Sequence, residues 1–145
     1  MSAAMSTSID NAAITNAPPA HAPTRAATVL LAEDDRAVRR YLEVVLQRAG
    51  YRVVTAGDGL EAMKAALSSE AFDAVITDAV MPYLGGHELC RFLRRHPKLS
   101  ALPVILLSGD QTAAPRDAAE RADIYLSKPV RPEELAACLA GLLGN

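Results

Sequence analysis

From Thr28 onward, short apolar runs alternate with longer stretches whose apolar residues recur every three or four positions. Thr28–Ala32 is almost wholly apolar and ends abruptly at three acids, Glu33, Asp34 and Asp35. A short run of this kind suits a strand buried on both faces. Behind it, Val38, Tyr41, Leu42, Val45, Leu46 and Ala49 fall on one helical face, and Gly50 stands at the expected stop. The unit then returns in kind, though not in sequence. Arg52–Ala56 predicts a second strand, Gly57-Asp58-Gly59 a turn, and Leu60, Met63, Ala66 and Leu67 one face of a second helix. Residues 73–78 predict a third strand ending in Asp78, and 86–95 a helix carrying Leu89, Phe92 and Leu93. Residues 103–107 predict a fourth strand ending at Ser108, and 113–121 a weak helix without large aliphatic side chains. Residues 123–126 predict a fifth strand before Ser127-Lys128-Pro129. Pro132 opens a last helix with Leu135, Cys138, Leu139 and Leu142 on its apolar face, and Glu133 and Glu134 complement its N-terminus.

Strands alternating with helices predict an α/β fold: a doubly wound, five-stranded parallel sheet with five helices covering both faces. In such sheets ligands bind beyond the carboxyl ends of the strands, near the point where strand order reverses. The polar residues at those ends therefore matter: Glu33, Asp34 and Asp35, then Asp78, Ser108 and Lys128. Singly, each has an ordinary reading as a helix cap or a solvated charge. Asp35, the last of the three acids, reads as a helix cap. Several carboxylates on one rim repel one another unless a cation sits among them, and hard oxygen donors favour Mg²⁺. A Lys and a hydroxyl facing such a centre suit a phosphoryl group, the ammonium by charge and the hydroxyl by hydrogen bonding.

Composition narrows the picture. The 145 residues suffice for one well-buried core, and a net charge of −2 gives no global pull toward nucleic acid or an anionic membrane. The basic clusters Arg36, Arg39 and Arg40, and Arg91, Arg94, Arg95 and Lys98, read as solvated helix faces. His87 and His96, on or just after the third helix, read as surface residues, and His21 belongs to the N-terminal segment. Cys90 and Cys138 form no CxxC and read as core or boundary thiols, which suits a reducing cytosol. No run is long and apolar enough for a membrane span, and the expected location is cytoplasmic. Residues 1–27, rich in Ala, Ser, Thr and Pro, read as a disordered tail ahead of a domain over 28–145.

The segments VLLAEDD, VITDAVMPYLGG, VILLSGD and YLSKP resemble, in order and spacing, the signature stretches of response-regulator receiver domains. The likeness runs from Thr28 to the C-terminus, about four-fifths of the chain. It implies a flavodoxin-like receiver fold in which Asp78 is the phosphoacceptor, charged by a phosphohistidine donor with Mg²⁺ present. Asp34 would bind the metal directly and Glu33 through water, with Asp78 and the backbone carbonyl of Val80 completing the protein ligands. Lys128, Ser108 and Gly109 would contact the phosphoryl group. Ser108 and Tyr125 would form the switch, and the Lys128–Pro129 bond would be cis. The implied partner is a histidine kinase or histidine phosphotransfer protein. With no recognisable output segment after residue 145, the expected type is a stand-alone receiver acting through protein contacts or onward phosphotransfer. A phosphorylation-dependent homodimer is compatible with this; nucleic acid and membrane are not expected as partners. Its only expected catalysis is its own phosphotransfer and dephosphorylation.

The alternative is a degenerate receiver that binds partners independently of phosphorylation, against which the intact Glu33, Asp34, Asp78, Ser108 and Lys128 argue. An aspartyl-phosphate phosphatase would need an acid two residues after Asp78, where Val80 stands. Flavin binding would need a phosphate-cradling loop where Glu33, Asp34 and Asp35 stand. Two positions depart from the family's habit: Gly85, where Asp or Asn is frequent, and Val130, where an aromatic is common.

Overall fold

The computed structural model describes residues 25–109 and 120–144. Five strands, β1 (Thr28–Ala32), β2 (Arg52–Ala56), β3 (Ala74–Asp78), β4 (Val104–Ser108) and β5 (Ile124–Ser127), form one sheet. Their order is β2-β1-β3-β4-β5, and every neighbouring pair is parallel. Burial explains that order. β1, β3 and β4 are buried at every position and occupy the centre. The partly exposed β2 and β5 form the edges. A charged residue blunts the β2 edge, since Arg52 is exposed and pairs with Glu70 at 2.6 Å.

The helices are α1 (Arg36–Arg48), α2 (Gly59–Ala66), α3 (Gly86–Arg95) and α4 (Pro132–Leu143). The helix expected over 113–121 falls almost wholly outside the described residues. Alternation along the strands divides the core in two. On one face Val29, Leu31, Ile76, Ile105 and Leu107 pack with Leu42 and Leu46 of α1 and Leu135 and Leu139 of α4. On the other, Leu30, Val75, Val104 and Leu106 pack with Ala62 and Ala66 of α2 and Leu89, Cys90 and Leu93 of α3. The sheet is therefore covered on both faces, and each fully buried Leu contributes about 1.5–3 kcal/mol relative to exposure.

Side-chain caps start α1 and α2 where the pattern predicts. Asp35 caps α1, its side chain accepting from the Val38 N–H at 3.0 Å. Asp58 caps α2 by accepting from the Glu61 N–H, and Glu61 in turn accepts from the Gly57 N–H. At the other end of the sheet Asp73 ties down the start of β1, accepting from the Thr28 N–H at 2.7 Å and from Arg25.

Candidate functional site

The parallel register brings the acids together. Ala32 pairs with Thr77, so the next residues, Glu33 and Asp78, leave neighbouring strands side by side. Both continue the alternation of Leu31 and Ile76, toward the face that α1 and α4 cover. Glu33 is fully buried and Asp78 nearly so, whereas Asp34 is exposed at the rim. One carboxylate oxygen from each of Glu33, Asp34 and Asp78 lies within 4.8 Å of the other two. This all-oxygen, triply anionic donor set fits a hard divalent cation such as Mg²⁺. Asp35 is turned away by its capping bond.

Lys128, just past β5, reaches into the cluster. Its Nζ lies 2.9 Å from Asp78 Oδ2 and 3.1 Å from Glu33 Oε1. Its backbone N–H donates to the Ser108 carbonyl at 2.8 Å, which extends the β4–β5 ladder by one bond. The Lys128–Pro129 bond is cis. Burial pushes the Glu33 carboxyl above the usual range, and the Asp78 charge adds to the rise. The Asp35 N–H and Lys128 act against that rise. For Lys128, burial works to lower the ammonium's pKa, but hydrogen bonds and attraction from Asp78 and Glu33 carry it above its ordinary value.

Ser108 ends β4, one residue beyond Leu107, the register partner of Asp78. It is buried and continues the alternation of Leu106, toward the face that α2 and α3 cover. Gly109 follows it, exposed, and a Cβ placed there would meet nothing. Val80 projects into solvent from the loop after Asp78. Tyr125 pairs with Leu106 across β4–β5 and packs at the margin of the α2/α3 core, its hydroxyl accepting from the Ala122 N–H at 3.0 Å.

Two features near the site amend the sequence reading, and a third adds to it. Arg39 is not simply solvated: its Nη1 donates to the Glu33 carbonyl at 2.8 Å. The signal was present, because a side chain in the first turns of a helix leans back over its N-terminus, here onto the acid loop. His87 is only partly at the surface, being half-buried. Its ring stacks with that of Tyr125, centroids 6.4 Å apart, and its Nε2 is buried with no hydrogen-bond partner among the described residues. The third is Gly86, where a Cβ would stand 2.1 Å from the Asp78 carbonyl oxygen. That close approach admits only glycine and holds the start of α3 against the backbone of Asp78.

Comparison with known proteins agrees with this geometry. The family profile described as the response regulator receiver domain matches residues 29–140. The transcriptional regulatory protein GltR of Pseudomonas aeruginosa is 36% identical over 118 residues, covering 80% of this chain and 48% of its own length. This chain spans about half the length of the curated relatives it matches. Among solved structures, the receiver domain of a signal transduction histidine kinase from Syntrophus aciditrophicus superposes with a TM-score of 0.72 at 33% identity. That match covers 82% of this chain and 91% of the other. The receiver domain of the sensor histidine kinase PA1611 from P. aeruginosa, with a magnesium ion coordinated in its active-site cleft, gives 0.71 at 28% identity, covering 83% and 99%.

Proposed function

This chain belongs to the response regulator receiver-domain family of two-component signalling, and from that premise we propose that it accepts a phosphoryl group on Asp78. The observation that carries the reading is the convergence of Glu33, Asp34, Asp78 and Lys128 on one strand-end crevice. The magnesium held in the cleft of the PA1611 receiver supports the same assignment for this donor set. Glu33, Asp34 and Asp78, with the backbone carbonyl of Val80, would hold the Mg²⁺. When bound, the ion supplies charge neutralisation at the phosphoryl oxygens.

The protein's own groups do the rest. An Asp78 carboxylate oxygen attacks the phosphorus of a phosphohistidine; the new O–P bond forms as the P–N bond breaks and the imidazole leaves. Lys128 already touches the acceptor carboxylate and follows the added charge. The Ser108 hydroxyl and the Gly109 N–H supply hydrogen bonds to the remaining oxygens. Drawing Ser108 toward the phosphoryl group opens space for the Tyr125 ring, a local electrostatic event that biases a two-state element. The phosphodonor is a histidine kinase or histidine phosphotransfer protein, and the setting is the cytoplasm. Among the described residues no helix is long and apolar enough to cross a membrane.

Intact-mass measurement after incubation with Mg²⁺ and a small acyl phosphate or phosphoramidate tests the assignment. Wild type gains one phosphoryl mass; the Asp78→Asn variant gains none. Folded wild type that stays unmodified by several donors would overturn the assignment in favour of a phosphorylation-independent binding module.

A further inference from the structure

We propose that Arg39 is a positioning residue for Asp34: by holding the Glu33–Asp34 peptide it sets the acid loop in the form that takes Mg²⁺. The proposal rests on the reading of Glu33, Asp34 and Asp78 as the metal's ligands. Among the described residues no hydrogen bond or ion pair holds the Asp34 side chain, which is exposed at the rim. Its carboxylate therefore stands where the backbone on either side puts it. The Glu33 carbonyl and the Asp34 N–H belong to one planar peptide unit. Arg39 Nη1 fixes that plane by donating to the carbonyl at 2.8 Å. The next peptide is fixed by the Asp35 N–H, which donates to Glu33 Oε2 at 3.0 Å.

The two anchors differ in kind. The Glu33 carboxylate is already shared with Lys128 and belongs to the cluster that would hold the ion. Arg39 bonds a backbone carbonyl outside that set of carboxylate oxygens, so its anchor persists when the ion binds. The neighbouring loop makes room for it. A Cβ on Gly57 would stand 3.4 Å from Arg39 Nη1 and 3.4 Å from Glu61 Oε1, so glycine leaves the gap open and the Glu61 carboxylate borders it. Arg39 acts on Mg²⁺ in two opposed ways. As a cation it repels the ion; as an anchor it holds a ligand in order before the ion arrives. Glu61 offsets the guanidinium's charge, and solvent screens the remainder, since Arg39 is only half-buried. Hydrogen bonds behind a metal ligand act on its order directly. Anchoring therefore wins, and the two effects differ in sign.

The test titrates the full chain with Mg²⁺ alone, at constant ionic strength, and follows the backbone amide signals of the acid loop. Wild type is compared with Arg39→Met, which keeps an apolar stem, and Arg39→Ala, which removes it. Circular dichroism checks that each is folded; if one is not, the other decides. The expected result is a Mg²⁺ dissociation constant raised about fivefold in the Arg39 variants. Loss of a mere charge would lower it instead. Arg94→Ala, which loosens the fold at the opposite end of the sheet, leaves the constant unchanged. A folded Arg39 variant that binds Mg²⁺ as tightly as wild type, or more tightly, overturns the proposal alone. An equal rise in Arg94→Ala does the same, since the effect would then be general loosening. Wild type that takes up no Mg²⁺ overturns both the proposal and the metal reading beneath it.

Discussion

Tyr83 adopts φ = 70° while its side chain is 81% exposed, on the loop that follows Asp78. A bulky residue in the left-handed region is strained, and its exposed ring recovers little of that energy by burial. Tyr83→Asn, which tolerates this conformation, stabilises the fold by about 1 kcal/mol, read as a higher urea midpoint at unchanged slope. At the acid cluster the sign depends on metal. Asp34 adds a third carboxylate within 4.8 Å of two others. In chelator-treated protein Asp34→Asn therefore raises the melting temperature by roughly 2–4 °C. Wild type gains further stability on adding Mg²⁺, and the variant loses most of that gain. Thermal melts with and without Mg²⁺ check both halves. At this scale the sequence was informative about identity and poor on environment. Glu33, Asp34, Asp78 and Lys128 could be picked out as strand-end residues. Nothing local marks Glu33 as fully buried and Asp34 as exposed.

Among the elements, α3 shows how charged helix faces divide. Arg94 and Arg95 are chain neighbours and looked equivalent as members of a basic cluster. The Arg94 side chain is 11% exposed and donates to Asp123 and to the carbonyls of Ser100, Leu102 and Arg121. It joins α3 to the turn before β4 and to the start of β5. Arg95 is 69% exposed and pairs with Glu120. Arg94→Ala is expected to destabilise by about 2–3 kcal/mol, because Asp123 and several carbonyls lose one shared donor. Arg95→Ala changes stability by less than about 0.5 kcal/mol. Chemical denaturation of both variants measures the contrast. Among the described residues, helix and strand spans were legible to within a residue or two, because they rest on local periodicity and on caps such as Asp35 and Asp58. The division between Arg94 and Arg95 was not, because it depends on what lies across from each.

For the molecule as a whole, the two cysteines report on the integrity of the packed layers. Cys90 is buried against the sheet between Leu89 and the rest of the α2/α3 core, and burial pushes its thiol above the ordinary value. Cys138 lies at the margin of the other layer, partly exposed. Under native conditions a thiol reagent labels Cys138 first, while Cys90 reacts only as fast as the fold opens. Time-resolved mass measurement with Cys138→Ser as control checks this. Rapid modification of Cys90 in folded protein would mean that the α2/α3 layer is looser than its packing indicates.

The sequence by itself determined the kinds and order of the described elements, the burial of β1 on both faces, and the presence of acids, a hydroxyl and a Lys at strand ends. These follow from periodicity, turn chemistry and caps, which act over a few residues. The tertiary structure alone decided how those residues meet. Lys128 reaches Glu33 across 95 positions of chain only because parallel pairing carries β1, β3 and β5 to a common rim. It also decided that Arg39 bonds the acid loop, that Gly86 lies against Asp78, and that the His87 and Tyr125 rings stack. Each of those facts depends on which side chain a neighbouring element sets opposite, and that is a property of packing with no periodic trace along the chain.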